Sequence, residues 1–342
     1  MTFVHLLARF GSAAQALEAI PALAARGGGG TPKLAGAATA EAEMEAVARL
    51  GARHIFMDEE DYPRLLAEVD GAPPVIIAKG QAGLAQRDCV AMVGARNASA
   101  AACRFARQLA GQLGRAEQVI VSGLARGIDT AAHEGSIETG TIAVIAGGID
   151  SYYPPENEAL QRAIAERGLV IAEQPPGTEP KARHFPRRNR IIAGLARGTV
   201  VVEAAPRSGS LITARQAADY GREVMAVPGS PLDPRALGCN QLIREGATLI
   251  QNAEDVIEAI TPIVPGLRDP GAPYASAGGG DPPDTARSSI AGLLNATPVP
   301  VDELVRQSRL QAAVVQTVLL ELELAGRLER HAGGKVSLLG PG

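Results

Sequence analysis

Seven short apolar runs constrain this chain more than anything else in it. They are VIIAK (75–79), CVAMVG (89–94), VIVSG (119–123), TIAVIAG (141–147), LVIAE (169–173), TVVVEA (199–204) and EVMAVPG (223–229). Each is rich in β-branched residues and ends at a turn signal. Helical patterns lie between most of them, at 98–113, 129–138, 156–166, 190–196 and 211–220. A run that is apolar at every position, not only at alternate ones, belongs to a strand buried on both faces. Such strands alternating with helices predict a doubly wound, mainly parallel α/β sheet that ends near Ile260.

The flanks have a different texture. A chain of 342 residues has room for two or three domains at roughly 100–200 residues each. Residues 1–51 carry helical spacing and no strand signal, with Ser12 as an N-cap; the first helix is short, as if the module were trimmed at its start. Residues 52–261 hold the sheet. Residues 262–287 are dense in proline and glycine and read as a flexible linker. Residues 288–342 contain three short helical patterns and two strands around Gly333-Gly334, which suggests a winged helix. Glu321 and Glu323 on its third helix argue against groove reading, so a partner-binding role is equally open. Cys89, Cys103 and Cys239 make no CxxC pair, so neither a disulfide framework nor a zinc cluster is expected. With no apolar run of about 18 residues and no signal-peptide pattern, the expected setting is the cytoplasm, away from membranes.

Charge gives the first functional hint. The chain is mildly acidic, with a formal net charge of −4, yet residues 181–197 contain six cations and no acid. These are Lys181, Arg183, Arg187, Arg188, Arg190 and Arg197, with Phe185 among them in a chain without tryptophan. Cations that meet phosphates, beside a ring that stacks on a base, suit a single-stranded nucleic acid. A solvated basic turn leading into a helix would read the same way.

Small-residue loops follow the strands on the edge where open parallel sheets bind ligands. They are Gly94–Ser99, with Arg96 inside it, Ser122–Asp129 with Gly123, Gly147-Gly148, Arg207–Ser210 with Gly209, and Pro228–Ser230. Glycine lets backbone N–H groups approach an anion closely. Neither GxxxxGK[ST] nor GxGxxG spacing is present, and no cofactor or metal is implied. Catalytic groupings are sparse. Asp129 and His133 share a helix face and read as a first-turn acid and a satisfied side chain. Glu203, at a strand end beside Arg207–Ser210, is the carboxylate best placed for chemistry.

Taken together, GARNAS (94–99), SGLARGIDTAAH (122–133), FPRRNRIIAGLA (185–196), VVVEA (200–204), SGSLITARQAADYGREVMAVPG (208–229) and GCNQLIREGA (238–247) resemble the DNA-processing protein A (DprA, or Smf) family. The resemblance implies an extended Rossmann-like domain that dimerises. It also implies a sterile-alpha-motif or helix-hairpin-helix-like start and a winged-helix tail. The implied role is not enzymatic: binding single-stranded DNA taken up in natural transformation, shielding it, and loading RecA recombinase onto it. Carried over by motif, Arg96 contacts phosphate and Phe185 stacks near a base. Arg188, Asn189 and Arg190 shape the pocket, Arg207 and Ser210 close its far side, and Lys181 or Arg183 adds a flanking charge. Gly94, Ser99, Gly123 and Gly209 complete the expected set, while Ile191, Ile192 and Leu195 are core. A competing expectation is a phosphoribohydrolase-like enzyme on nucleotides that uses Glu203, although the paired glycines of that group's loop are missing. A third is an adaptor that works through its tail.

Overall fold

All seven expected strands form. A computed structural model describes residues 2–28, 32, 34–261, 282–331 and 334–339. The strands are β1 (Arg53–Phe56), β2 (Val75–Gly80), β3 (Cys89–Val93), β4 (Val119–Ser122), β5 (Thr141–Gly148), β6 (Leu169–Gln174), β7 (Gly198–Val201), β8 (Glu223–Ala226) and β9 (Thr248–Leu249). They pair in the order β1-β2-β6-β5-β4-β3-β7-β8-β9. From β6 across to β9 the pairs are parallel, while β2 runs antiparallel to both β6 and β1. The two strands without a sequence signal are the edges. β1 has only Ile55 buried, and both residues of β9 are exposed, so neither shows the apolar run of a central strand.

Alternate residues of the central strands feed two cores. Ala91, Val93, Val121, Ile142 and Val144 pack with Ile191, Ile192 and Leu195 of the helix His184–Leu195 on one face. Val90, Met92 and Ile120 pack on the other face with Leu109 and Leu113 of the helix Ala100–Arg115. Fully burying each such side chain contributes roughly 1.5–3 kcal/mol. The chain steps outward from β3 through β4, β5 and β6, then returns so that β7 lies on the opposite side of β3. That reversal opens a crevice outside the carboxyl ends of β3 and β7, where ligands of such sheets bind.

His133 is fully buried on the helix Ile128–Ser136, with Nδ1 2.7 Å from Thr141 Oγ1. Burial, helped by the nearby Arg188 charge, lowers its pKa to about 3.

The helices of residues 1–51 divide between two compact units. The helix Ala37–Arg49 joins the sheet unit, with Val47 buried among Ile77, Ile145 and Ile164. The helices Thr2–Phe10 and Ala13–Arg26 instead join the tail. Ser12 caps the second of them by accepting from Gln15 N–H, as the sequence suggests. In the tail, the helices Asp284–Leu293, Val301–Ser308 and Ala312–Leu324 meet a three-stranded sheet, β10 (Val299–Pro300), β11 (Leu328–His331) and β12 (Lys335–Leu338). The first of these helices begins inside the segment expected to be linker. Residues 262–281 of that segment, and Gly333 of the expected turn, lie outside the described residues.

The helix Ala312–Leu324 is apolar on both sides. Val315, Val318, Leu319 and Leu322 fill the winged-helix core. Leu320 packs against Leu6, Ala16, Ile20 and Leu23 of the first two helices. A helix with apolar residues on two sides has to be covered on both, and here the N-terminal helices supply the second cover. Its acids are both paired: Glu321 is buried against Arg287, and the half-buried Glu323 pairs with Arg330. Among the described residues, no helix is long and apolar enough to cross a membrane, and no group of three His, Cys, Asp or Glu could hold a metal ion.

Two outcomes are expected. Between pH 6.5 and about 3 the unfolded chain binds a proton at His133 that the folded chain refuses. Stability from this group is therefore complete above pH 6.5 and falls as pH drops, by up to about 1.4 kcal/mol per pH unit. Urea unfolding at pH 7 and pH 5 should show the parent losing about 2 kcal/mol more than His133→Gln; equal losses would count against it. Leu320→Ala should cost about 2–5 kcal/mol and speed amide exchange in both the 13–26 and 312–324 helices. Acceleration confined to the tail would contradict their joint packing.

Candidate nucleic-acid interface

Half of the cations in the 181–197 stretch, Arg187, Arg188 and Arg190, lie within a helix, and Lys181 and Arg183 lie in the turn before it. His184–Leu195 begins six residues earlier than its apolar pattern suggests, because Pro186 sits in the first turn, where its missing N–H costs nothing. Helical geometry then sorts the charges. Phe185, Arg188, Asn189 and Ile192, spaced i, i+3, i+4 and i+7, share a face and line a crevice of about 530 Å³. Arg187 and Arg190 point elsewhere, and both pair with Glu173 at the end of β6. Arg190 also donates to Gly71 O. The expectation that Arg190 shapes the pocket is therefore corrected: its guanidinium is bound to Glu173 on another face.

The crevice lies at the reversal of strand order. Gly94, Ala95 and Arg96, after β3, form one wall, and 205–210, after β7, form the other. Arg96 is exposed, and its guanidinium carbon lies 5.1 Å from the centroid of the Phe185 ring. That is within the range of a cation–π contact. Arg207 stands at a left-handed φ of 69°, beside Gly209 and Ser210 on the same wall. Neither Arg96 nor Arg207 has an ion-pair partner among the described residues. The Ser210 hydroxyl lies 2.8 Å from that of Ser208. Gly94 fits tightly, since a Cβ there would come within 2.5 Å of Ile128.

Beneath the crevice lies Arg188, only 6% exposed. Its Nη1 donates to Gly123 O at 2.6 Å and to Val144 O in β5. Asp129 is the nearby countercharge; its Oδ2 accepts from Gly123 N–H at 3.1 Å and Ala125 N–H at 3.3 Å. Burial pushes the Asp129 carboxyl up, against the pull of Arg188 and of those two N–H groups. Burial also lowers Arg188 to about 10, with Asp129 opposing, so Arg188 keeps its charge at neutral pH. Gly123 makes room for that guanidinium: a Cβ there would lie 2.3 Å from Arg188 Nη1 and force it to move. Gly127 shows the same closeness: at φ 75°, its Cβ would meet Ala95 O at 2.3 Å.

Of the expected residues, the structure brings Gly94, Arg96, Phe185, Arg188, Asn189, Arg207, Gly209 and Ser210 together around the crevice. Gly123 lines an adjoining cavity. Ser99 lies outside the lining. Its hydroxyl caps the helix Ala100–Arg115 by accepting from Ala102 N–H, and donates to Glu203 Oε2 at 2.7 Å. Lys181 and Arg183 are exposed at the helix start and line neither cavity. Pro206, Ile212 and Thr213 also line the crevice, and nothing along the chain marks them, since all are ordinary helix or turn positions.

A family model described as DNA recombination-mediator protein A matches residues 53–261. The chain belongs to that family. Models of the DprA-like N-terminal HHH domain and the DprA winged helix domain match residues 1–46 and 275–334. The DNA processing protein DprA of Streptococcus pneumoniae is 47% identical over 201 residues, 58% of this chain and 71% of that protein. Protein Smf of Synechocystis is 35% identical over 308 residues, 81% of this chain and 77% of that one. The solved Streptococcus pneumoniae structure superposes with a TM-score of 0.62 at 42% identity, covering 66% of this chain and 78% of that one. DNA processing protein A of Helicobacter pylori, whose single-stranded DNA binding mode was studied structurally, gives 0.56 at 27% identity, covering 60% and 94%. The extended Rossmann-like class expected of this DprA family member is the class observed.

Replacing Arg188 tests the architecture. Arg188→Met takes a buried donor from Gly123 O and Val144 O and a nearby cation from Asp129, and should destabilise the sheet unit by at least about 1–3 kcal/mol in urea unfolding. Adding Asp129→Asn should recover part of that loss. A double variant no more stable than the single one would deny the electrostatic coupling of Arg188 and Asp129.

Proposed function

We propose that this protein binds single-stranded DNA in the crevice between the 94–96 and 205–210 walls, shields the strand, and delivers it to RecA recombinase. It does so as a cytoplasmic homodimer and without catalysing a reaction. One observation carries this reading: Arg96 and Phe185, 5.1 Å apart, face an open crevice in which neither Arg96 nor Arg207 has an ion-pair partner among the described residues. Unbalanced guanidinium groups beside a half-exposed ring match an unpaired strand, which offers phosphates and unstacked bases together. A duplex offers only the phosphates. The single-stranded DNA binding mode of the Helicobacter pylori relative supports the same ligand. The RecA step and the dimer rest on the family resemblance.

Binding fits the carboxylates better than catalysis does. Glu203 accepts from the Ser99 N–H at 3.0 Å and from the Ser99 hydroxyl, so both of its oxygens hold the loop. Asp129 serves Gly123 and Ala125. Release of free base from a nucleoside monophosphate by the purified protein would restore the enzyme reading.

The test is anisotropy of a labelled oligothymidine across a salt series. Log affinity should fall against log salt with a slope of roughly 0.7 per phosphate contacted, and a duplex of equal length should bind more weakly. Arg96→Ala should weaken binding to all sequences alike and reduce the slope by about one contact. Phe185→Ala should cost about 1–3 kcal/mol. Parental affinity in both variants would remove the crevice from the function.

A further inference from the structure

We propose that the strand is gripped at two successive bases, with Tyr153 as the stacking platform of a second nucleobase subsite beyond Phe185. This inference rests on the strand-binding reading above and extends it. A second cavity of about 300 Å³ lies against the crevice and shares Arg96, Ala125, Phe185 and Arg188 with it. Tyr153, Pro154 and Arg126 are among the residues that close its other side.

Tyr153 is the ring that needs an explanation. It is 48% exposed in a chain whose aromatic content is 3%. Its centroid lies 5.6 Å from that of Phe185 with the planes at 55°, so the two rings touch at an angle and do not cover each other's faces. Its hydroxyl has no hydrogen-bond partner among the described residues. A base laid on the open face would cover apolar ring surface that water now meets.

The loop that carries the ring is pinned at several points. Asn157 donates to Leu124 O and to Thr130 Oγ1, both at 2.9 Å, and its own N–H donates to Pro154 O at 3.0 Å. Gln161 donates to Ser151 O at 3.1 Å. The ring is thus presented before any ligand arrives, which lowers the ordering cost of binding. Charge favours a base here over a phosphate. Arg126, on the far wall, is paired with Glu156, whereas Arg96 borders both cavities and has no such partner. Arg96 is therefore placed for the phosphate linking two bases, one on each side of it.

The chain has no tryptophan, so Tyr153→Trp installs a single fluorescent reporter in the full-length protein. Titration with labelled oligothymidine then reads binding by anisotropy and stacking by indole quenching. Quenching should saturate together with anisotropy. Tyr153→Ala should raise Kd roughly 5- to 150-fold, the range for losing one stacked base, while Tyr153→Phe stays within about twofold of the parent because the ring remains. If the strand binds and the indole stays unquenched, or Tyr153→Ala binds at parental affinity, the second subsite is wrong and strand binding stands. If the parent binds no single strand at all, both readings are lost.

Discussion

The guanidinium of Arg188 is enclosed between the helix His184–Leu195, the loop after β4 and the middle of β5, and the site depends on how that charge is satisfied. A buried cation is tolerable only when paired and hydrogen-bonded. Arg188 has two carbonyls, Gly123 O and Val144 O, with Asp129 as countercharge. Asp129 in turn holds the Gly123 and Ala125 N–H groups. The network ties two helices, His184–Leu195 and Ile128–Ser136, to β5 and to the loop after β4, so none can shift without breaking it. Phe185 stands three residues before Arg188 on the same helical face, which fixes the ring over the crevice.

The same helix separates structural from available charge. Arg187 and Arg190 converge on Glu173, a carboxylate whose side chain is only 12% exposed. Glu173 balances one of the two charges and ties both guanidinium groups to the end of β6, away from the crevice. Arg96 and Arg207, from loops after β3 and β7, face the crevice without such partners. Two guanidinium groups without an ion-pair partner among the described residues thus border one cleft of an acidic protein, and charge placed this way steers anionic ligands toward it.

In the other unit, the third helix of the winged-helix tail has no free apolar face to offer. Leu320 is covered by the N-terminal helices, and Glu321 is held by Arg287. The acids that argued against groove reading are thus paired struts. Covering both sides of that helix joins the two ends of the sequence into a single hydrophobic arrangement. Gly27 marks the closeness of the fit, since a Cβ there would lie 2.2 Å from Glu321 O.

The chain of residues alone determined the strands, the helices between them, the strand-end loops, and a set of cations that includes Arg96, Arg188 and Arg207. These are local properties: a buried strand is apolar at every position, and a turn needs its glycine wherever it occurs. The edge strands β1 and β9 escaped because an edge buries too little to leave a pattern. The start of the helix at His184 escaped because Pro186 and the surrounding charge look like a break, although proline is at home in a first turn. Tertiary structure alone decided which arginines are free. That Arg190 belongs to Glu173 and Gly71, and that Arg96 meets Phe185 from 89 residues away in sequence, depends on packing across the sheet. Ion pairing is set by distance in space, and no periodicity along the chain encodes it.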